Sequence, residues 1–220
     1  ALGGGFSSGK SSFLNSILGE ELLPSDITPS TSVPAYLIHD EISFVYGINI
    51  FESKIVMQPE EVCLIAHGFG KDDTDGVEVT LGHLLQSLFV ASPNQPFQHI
   101  ALLDTPGYSK AEINGYSSKT DEKIAHTQLN SANFILWFVP ADSGTVTNSD
   151  IEFLRSLNSD IPKLIVVNKA DKLMPDDLDE VVDKIHNILQ MKGIQVLDVL
   201  TDSSEEPEDY DREKILEYLN

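Results

Sequence analysis

Cysteine is nearly absent. The single Cys63 in 220 residues excludes a disulfide framework and a cysteine-built zinc site, and a reducing compartment is the expected setting. Basic residues are scarce as well: 14 Lys and Arg stand against 35 Asp and Glu, a formal net charge of −21. A chain of that sign does not hold nucleic acid or an anionic bilayer by bulk charge, because both require positive potential. Long apolar runs are missing too. The best, Phe134-Ile135-Leu136-Trp137-Phe138-Val139, falls far below the ~18 residues of a membrane helix, and no basic-then-apolar stretch of signal-peptide type is present. The histidines are scattered without the spacing of metal ligands.

What is present suits a globular α/β chain. At 41% hydrophobic it can bury a core, and at roughly 150 residues per domain it predicts one domain with an elaboration. Phe13, Leu14, Ile17 and Leu18 share a helical face, and Gly19 stands where that helix should stop. Strands are predicted at 33–38, 42–46, 100–103, 134–139, 164–167 and 194–200. Helices are predicted at 81–89, 118–131, 150–157, 178–189 and 212–219. Residues 20–34 read as loop, and the acidic run 205–209 as a solvated one. Apolar strands alternating with amphipathic helices imply a three-layer α/β/α domain around a mostly parallel sheet.

Three motifs sit at predicted strand ends. Gly4-Gly5-Phe6-Ser7-Ser8-Gly9-Lys10-Ser11 fits the phosphate-loop pattern of a P-loop NTPase. Such a loop turns backbone N–H groups inward around phosphate oxygens. Lys10 supplies a charge for the β and γ phosphates, Ser11 a hydroxyl for Mg²⁺, and the following helix its positive end. The loop begins almost at once, with hardly a strand before it, so the segment is expected to be cut from a longer polypeptide.

Asp104-Thr105-Pro106-Gly107 follows a short apolar strand. A carboxylate there can hold Mg²⁺ through its water, and Gly107 can bring a backbone N–H to the γ-phosphate. Alone, this pattern is also that of an ordinary Pro-Gly turn. Asn168-Lys169-Ala170-Asp171 follows Leu164-Ile165-Val166-Val167. Guanine presents N1–H and a 2-amino group side by side, and the Asp171 carboxylate can accept both. Adenine offers no such pair. Asn168 can bond the opposite edge of the base, and the Lys169 stem can lie over its plane. Three motifs in this order, each at a strand end, imply a GTP site beyond the carboxyl ends of the strands.

More detail narrows the family. The run Gly5-Phe6-Ser7-Ser8-Gly9-Lys10-Ser11-Ser12-Phe13-Leu14-Asn15-Ser16-Ile17-Leu18-Gly19, then Leu22-Leu23-Pro24 and Thr28-Pro29-Ser30-Thr31-Ser32-Val33-Pro34, resembles a bacterial-type dynamin-like GTPase over essentially the whole chain. The resemblance implies a G domain that binds GTP or GDP through Gly4, Phe6, Ser7, Ser8, Gly9, Lys10, Ser11 and Ser12. Asn168, Lys169 and Asp171 complete the nucleotide contacts, with a further base-contact loop near Thr201-Asp202-Ser203. It implies Mg²⁺ held by Ser11, Thr31 and Asp104. Thr31 is then the switch threonine that closes over the metal and the γ-phosphate.

Two departures from small signalling GTPases stand out. About 70 residues separate Thr31 from Asp104, so an insertion at about 47–98 is expected. Tyr108 follows Gly107 where Ras-like proteins carry a water-orienting Gln, and a phenol cannot copy an amide's donor and acceptor. Dynamin-like proteins share that lack and rely on a phosphate-loop residue and on dimerisation. Ser7 is the candidate here for positioning the γ-phosphate or a monovalent cation. The catalytic set is then Ser7, Lys10, Thr31 and Gly107.

The resemblance further implies a nucleotide-dependent homodimer of G domains, or pairing with a related dynamin-like partner. It implies a cytoplasmic protein that meets membranes peripherally, only through regions outside this segment, and no nucleic-acid partner. Two alternatives stay open. One is an Era-like ribosome-assembly GTPase, against which the net charge weighs. The other is a nucleotide-gated binding module with negligible hydrolysis, which Tyr108 keeps in play.

Overall fold

A computed structural model describes residues 1–23, 33–58, 61, 85–108 and 117–220, with backbone alone at 117–121. Its centre is a nine-stranded mixed sheet. The strands are β1 (Leu2–Gly4), β2 (Ala35–His39), β3 (Phe44–Asn49), β4 (Lys54–Met57), β5 (Leu85–Ser92), β6 (Leu102–Asp104), β7 (Ile135–Pro140), β8 (Lys163–Asn168) and β9 (Val199–Thr201). They lie in the order β4-β3-β5-β2-β6-β1-β7-β8-β9. From β6 through β9 every neighbouring pair is parallel, so the carboxyl ends of β6, β1, β7, β8 and β9 share one edge. β2 runs antiparallel to β6, β5 runs parallel to β2, and the β3–β4 hairpin closes that side.

The α-helices whose bounds lie among the described residues are α1 (Lys10–Leu18), α2 (Ser117–Leu129), α3 (Asn148–Ser156), α4 (Pro175–Met191) and α5 (Arg212–Glu217). The side-chain alternation of β7 shows how they cover the sheet. Leu136 and Phe138 face one core with Phe13 and Leu14 of α1 and Ile215 of α5. Ile135, Trp137 and Val139 face the other, with Ala125 of α2, Phe153 of α3 and Ile185 of α4. Because both faces are covered, every residue of β8 is buried, which is why this strand reads as a continuous apolar run. Local signals set the helix ends. α4 starts on Pro175 with Asp176 and Asp177 in its first turn. α3 starts with a reciprocal capping box between Thr147 and Asp150.

The expected helix at 81–89 is corrected. Residues 81–84 lie outside the described residues, and Leu85–Ser92 is strand β5 between β2 and β3. Leu88 and Val90 enter the core on one face, while Phe89 stacks between Tyr36 and Tyr46 on the other, at 4.9 and 4.8 Å. The short edge strand β4 was not foreseen. The strand expected at 194–200 shortens to Val199–Thr201. Within the expected insertion, the described residues include β4 and β5, which extend the sheet. Thr31 and Cys63 lie outside the described residues.

Candidate functional site

The three motifs meet at the shared strand edge. Residues 5–9 leave β1 and wrap into α1, whose first residue is Lys10. Lys10 is buried, and its Nζ donates to the carbonyls of Gly5 at 3.1 Å and Gly4 at 3.4 Å and to Ser8 Oγ at 3.4 Å. Burial pulls its pKa down, against the opposing pull of Asp104. The ammonium therefore stands inside the loop, surrounded by oxygen. Gly9 turns at φ 88, and a Cβ there would collide with the Asn168 amide. Ser7 adopts φ 58, a left-handed conformation that costs a residue with a Cβ about 1–2 kcal/mol.

Asp104 ends β6 next to this loop. Its Oδ2 accepts from Ser11 Oγ at 2.6 Å, while its buried Oδ1 has no partner among the described residues. Burial raises its pKa, against the opposing pulls of Lys10 and Ser11. A buried carboxylate oxygen without a donor, beside a hydroxyl, is an arrangement that fits a hard cation such as Mg²⁺. Gly107 packs on the phosphate loop: a Cβ there would lie 2.7 Å from Phe6 Cα. Only a glycine permits that approach.

Tyr108 turns away from the site. It is buried against Trp137 and Phe153, and its phenol donates to Asp150 Oδ1 at 2.7 Å. Trp137 Nε1 donates to the same oxygen at 3.2 Å. Thr147 donates to Oδ2 through its hydroxyl and its backbone N–H, at 2.6 and 2.9 Å. Burial, and then Asp150, raise the Tyr108 pKa, so the phenol stays protonated as a donor.

Asn168 and Lys169 reach back to the phosphate loop. Asn168 Nδ2 donates to Ser8 O at 3.0 Å, and Lys169 Nζ to Ser7 O at 2.7 Å. The Lys169 backbone is left-handed at φ 60, which directs this side chain across the loop. Ser203 Oγ donates to Asp171 Oδ1 at 2.6 Å. Ala170 N donates to Asp202 O at 3.0 Å, which ties the loop after β9 to the loop after β8. The Asp202 carboxylate points inward to Arg212, and Thr201 Oγ1 donates to Asp211 Oδ2 at 2.9 Å. Of the three loop residues singled out from sequence, Ser203 bonds Asp171, whereas the side chains of Thr201 and Asp202 bond Asp211 and Arg212.

Sequence reasoning missed Arg212, Asp150 and Asn15. Asn15 is buried and holds the loop after α1, donating to Leu23 O at 2.7 Å and accepting from Leu22 N and Leu23 N. The signal was there: a polar residue on the apolar face of α1, between Leu14 and Leu18. Arg212 and Asp202 are ten residues apart in an acidic stretch, and nothing in their pattern marks them as a pair. Among the described residues no cluster of three or more His, Cys, Asp or Glu could hold a metal, and no helix is long and apolar enough to cross a membrane.

Comparison with known proteins bears on the family and the fold. Residues 1–171 match the model of the dynamin family's N-terminal region. Dynamin-like protein 2 of Campylobacter jejuni subsp. jejuni serotype O:23/36 (strain 81-176) is 24% identical over the whole chain. A structure of an oligomerised bacterial dynamin pair, described as a mechanism for long-range sensing and tethering of membranes, superposes with a TM-score of 0.66 at 22% identity. It covers 99% of this chain and 33% of that one. Era of Aquifex aeolicus, bound to GDP and tetrafluoroaluminate, gives 0.58 at 16% identity, covering 99% of this chain and 54% of that one. The chain thus spans about a third of the length of its dynamin-like relatives, 34% of the Campylobacter protein. With the family model matched over most of its length and a P-loop α/β fold around the three motifs, the chain belongs to the dynamin family and is a dynamin-like GTPase domain.

Proposed function

We propose that this domain binds GTP with Mg²⁺ and hydrolyses it to GDP and phosphate, within a longer protein that couples turnover and G-domain pairing to membrane remodelling. One observation carries the reading. Asp104, Asn168 and Lys169, from two strand ends, bond the phosphate loop and its helix directly, at 2.6, 3.0 and 2.7 Å. Phosphate, metal and base contacts are thereby held in one rigid frame.

Within it Lys10 and the loop N–H groups bind the phosphates, and Asp171 accepts N1–H and the 2-amino group of guanine. Ser11 and Asp104 would hold Mg²⁺, with Thr31 joining them in the GTP state. The ion would neutralise charge on the β and γ phosphates. Gly107 brings its N–H to the γ-phosphate. Ser7 stands at the exposed turn of the loop, where its hydroxyl can reach that phosphate or a monovalent cation. The protein positions groups and neutralises charge, and water attacks in line.

Tyr108 is fixed on Asp150 and cannot orient the water. With neither a glutamine after Gly107 nor an evident arginine finger in the sequence, the lone domain should turn over slowly, since supplying a group that stabilises the transition-state charge is worth about 10³–10⁵ in rate. A second G domain facing the first, from another copy or a related partner, would supply it by ordering the switches. The same tether favours a second reading, a nucleotide-gated module with negligible hydrolysis. Calorimetry and turnover over a range of enzyme concentration test both. GTP binding far above ATP, with specific activity rising with concentration, is expected. Equal affinity for ATP and GTP would overturn the guanine assignment. Negligible turnover at every concentration, in the longest chain obtainable, would leave the second reading.

The tethering of membranes described for the dynamin pair motivates the membrane part. This segment itself should stay in the supernatant with anionic vesicles in any nucleotide state. A polybasic patch gains about 1 kcal/mol per Lys or Arg at such a surface, and this chain carries a net −21.

A further inference from the structure

The Asp202 carboxylate, in the loop after β9, is 0% exposed. Its partner is Arg212, the first residue of α5, itself 8% exposed. Arg212 Nε donates to Asp202 Oδ1 at 2.6 Å and Nη2 to Oδ2 at 2.9 Å, a bidentate fork. Nη2 also donates to Ser203 O at 3.2 Å, and Nη1 to Ser16 Oγ of α1 at 3.1 Å. The guanidinium plane lies 4.6 Å over the Phe13 ring. One side chain thus grips Asp202 and Ser203 of the loop after β9 and clamps that loop to the helix of the phosphate loop.

Ser203 is where this grip meets the base. A hydroxyl has one proton to donate and two lone pairs to accept with. The Ser203 lone pairs receive Glu205 N and Glu206 N, at 3.2 and 3.3 Å. Its proton is then left for Asp171 Oδ1, at 2.6 Å. Ser203 is 0% exposed and cannot turn elsewhere. Asp171 is exposed, and Ser203 is the side chain that fixes it among the described residues.

We propose that Arg212 is a positioning residue for guanine recognition. It holds Asp202 and Ser203 so that the Ser203 hydroxyl aims the Asp171 carboxylate at the base. The inference rests on the guanine reading above. Arginine is required because four acceptors in a fixed fork and an aromatic face must be met together, which the single ammonium of a lysine cannot do.

The test is base discrimination rather than affinity alone. Inosine triphosphate keeps N1–H but lacks the 2-amino group, so the ratio of its Kd to that of GTP reads how well Asp171 is aimed. The parent domain should prefer GTP by about 10- to 100-fold, the scale of one hydrogen bond to a charged group. Arg212→Met alone strands a buried carboxylate, so it is combined with Asp202→Asn. The pair should melt cooperatively, bind GTP about tenfold more weakly and bring the ratio to within about threefold of unity, as expected when the partner orienting a ligand group is lost. Arg212→Lys, which keeps the charge and loses the fork, should reduce the ratio by at least about threefold. It decides the matter should the double variant not fold. A folded variant that loses GTP and inosine triphosphate affinity in equal proportion, with the parental ratio intact, would overturn the proposal. A parent that does not distinguish GTP from ATP would instead sink the guanine reading itself.

Discussion

The two ends of the proposed nucleotide site are finished differently. At the guanine end, Asp202, Ser203 and Arg212 are buried, and each bonds the others or Asp171. At the phosphate end, Ser7 is held left-handed, Lys10 is buried against carbonyls, and Asp104 Oδ1 has no partner among the described residues. The contrast follows from the work of each end. Reading a base means holding one carboxylate still, which satisfied hydrogen bonds achieve. Binding triphosphate means keeping donors and cations ready for charge that arrives with the ligand, which the left-handed Ser7 turn and the Asp104 oxygen leave open; Asn168, between the two ends, likewise has a buried Oδ1 without a partner among the described residues. Lys169 and Asn168 join the two ends, through Ser7 O and Ser8 O.

The largest effect should come from the phosphate end. Lys10→Ala removes the buried cation proposed to face the β and γ phosphates and should lower GTP affinity by at least about 10³-fold, the scale of a buried charged contact. Fluorescent-nucleotide titration reads it. Near-parental affinity would mean that backbone N–H groups alone bind the phosphates. Asp171→Asn should act at the other end only. An amide donor suits the C2 oxygen of xanthine, so preference should move from GTP to xanthosine triphosphate by about 10²-fold or more, because a polar site rejects a ligand it cannot pair. Retained GTP preference would break the division between the ends.

The placement of these two positions at one strand edge was legible in sequence because each lies in a short local pattern: a glycine loop before a helix, and Asn-Lys-x-Asp after an apolar strand. The sheet around them was legible for a related reason. β7 and β8 are covered on both faces and announce themselves as unbroken apolar runs. β5 misled because Leu85, Leu88 and Phe89 happen to fall at helical spacing. In the sheet, neighbours on both edges and both faces give each of these residues a place without any period of two. The Arg212–Asp202 pair was not legible. Its geometry exists only once α5 folds back beside α1, and one acidic residue in an acidic stretch carries no mark of burial.

The Tyr108 tether offers a smaller effect. Tyr108→Phe keeps the ring against Trp137 and Phe153 but removes one of the donors to buried Asp150. Trp137 and Thr147 still serve that carboxylate, so the loss should be about 1.5–3 kcal/mol, the range for hydrogen bonds to charged groups. Urea unfolding measures it. If the tether belongs to the scaffold and not to the chemistry, GTP affinity should stay within about threefold of the parent, under 1 kcal/mol. A large affinity loss without a stability loss would place Tyr108 in the site after all.

The smallest effect separates strain from chemistry at one residue. Ser7 holds φ 58 with a Cβ, and its carbonyl receives Lys169 Nζ. Ser7→Gly removes a left-handed penalty of about 1–2 kcal/mol and adds about 0.5–1 kcal/mol of backbone entropy lost on folding. The net should be a gain of about 0.5 kcal/mol, or a few degrees at most in Tm. Ser7→Ala keeps the strain and loses only the hydroxyl, so its stability should match the parent. Turnover sorts the two roles. If the hydroxyl helps position the γ-phosphate, both variants slow hydrolysis alike although their stabilities move apart. If the bent backbone is what matters, Ser7→Ala keeps parental turnover and only Ser7→Gly, free to leave the turn, loses it. Parental turnover in both would remove Ser7 from the chemistry, leaving to it the backbone carbonyl that accepts from Lys169.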